Sequence, residues 1–243
     1  MPAYELHYWP TIQGRGEFVR LALEYAGIEY VDVAREPEDN GGGEKALVAA
    51  MGRSGLVHPP FAPPWLKSGT QLIGQTANIL LFLGRHHDLA PSDEAGELWT
   101  HQLQLTLADF VAEAHDVHHP IGSGLYYEDQ KSEAKRRAAD FREHRIPKFL
   151  GYFERVIAHN ASGSGWLVRD SITYADLSLF QVVAGLRYAF PKRMKAIEKQ
   201  YSGVVRVHDR VEASPAIVRY LESDRRIPFN QQGIYRHYPE LDA

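Results

Sequence analysis

The sequence predicts an α/β unit of about 85 residues followed by an all-helical region, and three observations carry that prediction. The first is a strand, helix, strand pattern over residues 4–34. The second is a proline cluster followed by two short strand-like runs and a strong helix. The third is a change of character after residue 93, beyond which every periodic segment has helical spacing.

The elements follow in order. Tyr4-Glu5-Leu6-His7-Tyr8 alternates like a half-buried strand, and Pro10 ends it. Residues 14–26 read as a helix with Phe18, Leu21, Leu23 and Ala26 at roughly helical spacing, and Gly27 stands where a C-terminal cap belongs. Residues 30–34 form a second strand, which completes a βαβ unit with parallel strands and a right-handed crossover. After a flexible break at 40–43, residues 44–51 read as a short helix. Pro59, Pro60, Pro63 and Pro64 come next, then two short antiparallel strands around a Ser68-Gly69 turn. Residues 75–84 form a helix. The stretch 86–93 is the expected boundary, giving domains at 1–86 and 94–243. Helices are expected at 94–118, 131–159, 174–189, 192–200 and 204–222, with loops at 122–127 and 159–165 and an irregular aromatic tail from 228 onward.

Composition narrows the function. The 243 residues are 44% hydrophobic and 24% charged, which is ordinary for a globular chain. The net charge of −4, from 27 basic and 31 acidic residues, and the lack of a basic stripe argue against a nucleic-acid partner. No apolar run is long enough to span a membrane, and Met1 to Glu5 have no leader character, so a cytoplasmic protein is expected. There is no cysteine. Any thiol chemistry must therefore use a sulfur brought by a ligand.

Four local features carry chemistry. A proline just ahead of a short strand, Pro64, can be cis; the strand edge beside it can pair with an extended peptide, although a plain proline-rich loop fits the same residues. Gly74-Gln75-Thr76 opens a helix, whose free N–H groups attract a carboxylate or simply form an ordinary cap. Tyr8 ends the first strand beside a βα turn, where ligands bind in α/β units and where core tyrosines also sit. Thr173 and Asp176 form a capping box flanked by the Ile172/Leu177 staple, which is a folding device.

The combination is more specific than its parts. Tyr4 to Tyr8 followed by Gly14-Arg15-Gly16-Glu17 and Arg20, the eleven-residue interval from Pro64 to Gln75, and the Thr173 to Asp176 box together resemble tyrosine-type cytosolic glutathione transferases. The likeness is to the sigma, alpha, mu and pi branch, among bacterial and fungal members.

The resemblance implies a thioredoxin-like N-terminal domain that holds glutathione as co-substrate and an all-α domain that offers a pocket for a hydrophobic electrophile, in a homodimeric detoxification enzyme. It implies that Tyr8 activates the thiol, with Arg15 close to the sulfur. Pro63 and Pro64 would bracket the backbone facing the cysteinyl part of glutathione. Gln75 and Thr76 would hold the γ-glutamyl carboxylate, Lys45 the glycyl carboxylate, and Asp109, contributed by the partner subunit, the γ-glutamyl amine. Pro63 departs from the family pattern, because it has no N–H to donate. Thr11 is the competing hydroxyl, as in serine-type members. A non-catalytic glutathione-binding protein and a glutathione-dependent isomerase or peroxidase are the alternative activities. His115, His118 and His119 fall on one helical face; a wall of the electrophile pocket with Tyr126 and Tyr127 is expected there ahead of a metal site.

Overall fold

The computed structural model describes residues 4–243; the reading of the N-terminal Met1-Pro2-Ala3 lies outside the described residues. Four strands form one mixed sheet in the order β2-β1-β3-β4. β1 is Tyr4–His7, β2 Tyr30–Asp32, β3 Trp65–Ser68 and β4 Gln71–Gly74. β1 runs parallel to β2 and antiparallel to β3, and β3 pairs antiparallel with β4 around the Ser68-Gly69 turn. Register follows burial. Leu6 and Leu66 are partners across the sheet and neither is exposed, since one face must be covered and the side-chain period is two.

The crossover helix α1, Gly16–Tyr25, buries Phe18, Val19, Leu21, Ala22 and Leu23. It stops at Gly27, whose φ of 66° is left-handed. The Ile28 N–H reaches the Leu23 carbonyl at 3.0 Å and the Gly27 N–H that of Glu24 at 3.2 Å, the double bond that ends a helix on glycine. α2 is Gly43–Met51, and its Leu47 packs on Trp65 beneath the sheet. α3 is Thr76–His86.

Every described strand lies before residue 75, and the rest of the chain is helical. α4 spans Glu94–Asp116, α5 Lys131–Asp140, α6 Ile146–Ala158, α7 Tyr174–Ala189, α8 Pro191–Ile197, α9 Ser202–Glu212 and α10 Pro215–Leu221. α1 packs against α7 and α10, and α3 against α4, so one apolar core runs through both parts of the chain. The Asp176 carboxylate takes the Thr173 N–H and hydroxyl, both at 2.8 Å, and the Leu167 N–H at 2.9 Å. The expected capping box is therefore present at the start of α7.

Three expected elements differ. The second strand ends at Asp32, and Val33–Arg35 is a short 3-10 turn. The long helix expected over 131–159 contains a π-helical segment at Phe141–Arg145 just ahead of Pro147; proline has no N–H to continue the ladder. The helix expected over 204–222 breaks at Ser214, whose extended backbone (ψ 136°) precedes Pro215. A residue before proline is pushed out of the helical region.

Candidate active site at the end of the first strand

Sheet register turns the sequence spacing into geometry. His7 is opposite Trp65, and Trp65 is opposite Gly74. Continued by one residue, the ladders set Tyr8 opposite Pro64 and Pro64 opposite Gln75. All three thus fall in one row at the same end of the sheet. The Pro63-Pro64 peptide bond is cis, as the sequence suggested.

Tyr8 is only 4% exposed, and its hydroxyl oxygen accepts the Arg15 N–H at 2.8 Å. Two glycines make the bed for its ring. A Cβ at Gly14, whose φ is +46°, would fall 2.0 Å from the hydroxyl, and one at Gly16 would fall 2.5 Å from ring carbons. No other residue fits either position. Burial pushes the Tyr8 hydroxyl above its usual range, while the Arg15 N–H and the Arg15 and Arg20 charges pull it back. The group is therefore a neutral O–H near pH 7, with its oxygen already accepting a bond and its proton available to donate. Thr11, by contrast, is exposed, and its carbonyl accepts the Asn230 side chain at 2.9 Å.

Thr76 joins this row. Its hydroxyl donates to the Arg15 carbonyl at 3.4 Å. Gln75 is exposed and sits at φ 68°, ψ 120°, a conformation that costs a non-glycine residue about 1–3 kcal/mol. Its side chain does not cap α3, so the helix N-terminus presents uncapped N–H groups and a partial positive charge. Pro63 is half-buried and Pro64 buried. Tyr8, Arg15, Pro64, Gln75 and Thr76 thus converge.

Two expected site residues stand apart. Lys45 is exposed on the first turn of α2, with no ion pair among the described residues. Asp109 is exposed on α4, one turn beyond Leu105, which is also exposed.

A second cluster of polar and aromatic groups comes from α4 and the tail. The rings of His115, His118 and His119 lie 4.7–5.3 Å apart, centroid to centroid. The buried His118 donates from Nε2 to the Ile234 carbonyl at 2.8 Å. His119 Nδ1 accepts from Gln130 at 3.3 Å. Desolvation and the Arg236 charge hold His118 down at about 3, and desolvation depresses His115 and His119 as well. Among the described residues, the single group whose ligand atoms converge as for a metal lies elsewhere, at His208, Asp209 and Glu212. There the Arg187 guanidinium is 3.1 Å from the imidazole, which opposes a cation.

Sequence reasoning missed what holds the Tyr8 loop. Glu17 and Arg20 are completely buried on α1. Arg20 donates to Asp32 at 2.7 Å, to Glu17 at 3.3 Å, and to the carbonyls of Ile12 at 3.3 Å and Gln13 at 3.4 Å. Glu17 also accepts from the Tyr220 hydroxyl at 2.6 Å and pairs with Arg226. Gln13 accepts from Gln181 at 2.7 Å. This network fixes the loop that leads into Gly14 and Arg15. The tail is anchored too, because Tyr235 packs where a Cβ on Gly185 would be only 2.3 Å from the ring.

Comparisons with known proteins agree with this geometry. Residues 115–224 match the model of the glutathione S-transferase C-terminal domain. The chain is 27% identical to glutathione S-transferase P 1 of Xenopus laevis, over 93% of this chain and 95% of that one. It is 24% identical to a Plasmodium falciparum glutathione S-transferase, over 77% of this chain and 82% of the relative. A Caenorhabditis elegans glutathione S-transferase structure superposes with a TM-score of 0.68 at 25% identity, covering 94% of this chain and all of that one. These relatives come from animals and a parasite, so the expected bacterial or fungal affiliation is not supported. No described helix is long and apolar enough to cross a membrane. The fold is that of the glutathione S-transferases, and the chain is similar to members of that family along nearly its whole length.

Proposed function

We propose that this chain is a glutathione transferase in which Tyr8 stabilises the glutathione thiolate for attack on hydrophobic electrophiles. The observation that carries this reading is the buried Tyr8 hydroxyl, polarised by the Arg15 N–H at 2.8 Å, in one row with Pro64 and Gln75. A bond accepted by the hydroxyl oxygen strengthens the bond its proton donates. Donation to sulfur favours the charged form of the thiol. Arg15 adds positive charge beside the sulfur.

The ligand fits as an extended peptide. Pro63 offers a carbonyl but no N–H to the cysteinyl backbone, a loss of about 1 kcal/mol against a residue offering both. The γ-glutamyl carboxylate lies on the α3 N-terminus at Gln75 and Thr76. Lys45 meets the glycyl carboxylate, and Asp109 of the partner subunit meets the γ-glutamyl amine. Exposed Phe61, Leu98 and Leu105 suit a homodimer. The N-terminal unit, 1–86, holds glutathione, and the helical unit, 94–243, holds the electrophile, in a cytoplasmic enzyme.

In the reaction, sulfur forms a bond to the electrophilic carbon, the leaving group departs with its electron pair, and the thiol proton passes to solvent. The test compares Tyr8→Phe with Thr11→Ala in glutathione conjugation of an aryl halide across pH. Tyr8→Phe is expected to raise the pH midpoint and Thr11→Ala to leave it in place. The reverse pattern assigns the role to Thr11. Tight glutathione binding without turnover on an aryl halide, an enone or an organic peroxide makes the chain a binding protein instead.

A further inference from the structure

The tail just after α10 grips the loop that joins β1 to α1. The buried Gln13 side chain donates to the Ile227 carbonyl at 2.5 Å, and its oxygen accepts from Gln181 of α7 at 2.7 Å. The Gln181 oxygen accepts in turn from Arg226 at 3.1 Å, and Arg226 pairs with Glu17 on α1. Further along the tail, Asn230 donates to the Thr11 carbonyl at 2.9 Å. The Asn230 side-chain oxygen takes the Gln232 N–H at 2.9 Å and the Gly233 N–H at 3.2 Å. One amide therefore closes a tight turn in the tail and holds the loop at the same time.

The tail is itself anchored on both sides of these contacts. Arg225 makes two bonds to Glu24 of α1, at 2.7 and 2.9 Å. Phe229 stacks on Tyr188 of α7 with ring centroids 4.9 Å apart. Pro228, between them, has a fixed φ. The loop has one other support, Arg20, which reaches the Ile12 and Gln13 carbonyls at 3.3 and 3.4 Å. The tail's bonds are shorter, and short bonds hold better. Two residues beyond Gln13 comes Arg15, whose N–H donates to the Tyr8 hydroxyl at 2.8 Å. Gly14 lies between them at φ 46°, with no side chain to fix it. The direction of the Arg15 N–H therefore depends on what holds Gln13 and Thr11.

We propose that Gln13 and Asn230 are positioning residues for Tyr8: through them the tail aims the Arg15 N–H at the Tyr8 hydroxyl, and so sets how strongly that hydroxyl stabilises a thiolate. Neither residue acts on the sulfur itself. The tail of the helical region thus takes part in chemistry done at the end of the first strand. The effect on the thiolate rests on the reading that Tyr8 activates glutathione; the tie between the tail and Arg15 stands without it.

Hydrogen exchange of the Arg15 amide, followed by NMR on the full chain without ligand, reads the tie. Asn230→Ala is expected to speed that exchange about fivefold, and the buried Gln13→Met by more. The Leu167 and Thr173 amides, bonded to Asp176, are expected to keep their rates in Asn230→Ala, which separates a loosened loop from general destabilisation. Asn230→Asp keeps the acceptor for the turn and loses the donor to Thr11, so it is expected to match Asn230→Ala. Ultraviolet titration of bound glutathione reads the consequence. The thiol midpoint is expected to rise by about half a unit in Asn230→Ala and about one unit in Gln13→Met, against about two in Tyr8→Phe. Added to Tyr8→Phe, Asn230→Ala is expected to shift the midpoint no further. Parent-like Arg15 exchange in both Asn230→Ala and Gln13→Met overturns the proposal. So do parent-like midpoints in those two variants when Tyr8→Phe raises its own, and so does an Asn230→Ala shift that persists in full beside Tyr8→Phe, since the residue then acts without Tyr8. A parent-like midpoint in Tyr8→Phe removes the reading of Tyr8 and the effect on the thiolate with it; faster Arg15 exchange then still supports the tie.

Discussion

The two walls of the Tyr8 site are built from different materials. On the sheet side the chemistry belongs to the backbone: a cis peptide at Pro63-Pro64, a left-handed Gln75 and the uncapped start of α3. On the helical side it belongs to side chains: three imidazoles, the Arg236 guanidinium and a buried phenol, Tyr235. Backbone groups keep their chemistry when residues change, so the first wall suits a ligand that never varies. A side-chain wall can be altered one residue at a time, so the second suits a ligand that differs between relatives.

The walls meet on α1, and breaking that junction is expected to give the largest effect. Glu17→Ala leaves Arg20 and Arg226 facing each other without their shared carboxylate. Removing one partner of a buried ionic network costs about 3–5 kcal/mol. Urea unfolding reads this loss, and a change under 1 kcal/mol contradicts the structural role given to Glu17. Next comes the atom between the walls. Tyr8→Phe is expected to lower kcat/KM about 100-fold at pH 6.5, the equivalent of two pKa units on the thiol.

The side-chain wall carries its own pH signature. Folded His118 stays neutral down to about pH 3, whereas an unfolded histidine takes a proton near pH 6.5. Below pH 6.5 the unfolded state therefore binds more protons, and stability falls as pH falls. From pH 7 to pH 5 this one group removes about 2 kcal/mol. His118→Asn keeps an N–H for the Ile234 carbonyl but does not titrate, so its unfolding free energy is expected to fall less over the same range. A slope equal to that of the parent chain rules this out. The smallest effect belongs to the backbone wall. Thr76→Ala removes one hydroxyl beside the α3 N-terminus, which is worth about 1 kcal/mol and a several-fold rise in the glutathione KM.

The same contrast explains what the sequence revealed. The backbone wall was legible because backbone devices leave local marks: Pro64 ahead of a strand, Gln75 at a helix start, Gly14 and Gly16 around Arg15. The intervals Tyr8 to Pro64 to Gln75 gain meaning once strand register aligns them. The Thr173/Asp176 box was legible for the same local reason. Glu17 and Arg20 were not, because charged residues on an amphipathic helix read as solvent-facing until α10 and the tail cover them. The tail's role was hidden as well, since Tyr235 meets Gly185 and the Ile234 carbonyl meets His118 only through long-range packing. The helix breaks at 141–145 and Ser214 had signals, Pro147 and Pro215, which apolar periodicity overrode.

The central claim is that the Tyr8 hydroxyl lowers the thiol pKa of bound glutathione. An ultraviolet titration of the thiolate in the binary complex measures that value with no electrophile present. The account predicts a midpoint about two units below the free thiol's usual value near 8.5, and a return toward that value in Tyr8→Phe. A midpoint that is the same in both proteins contradicts it.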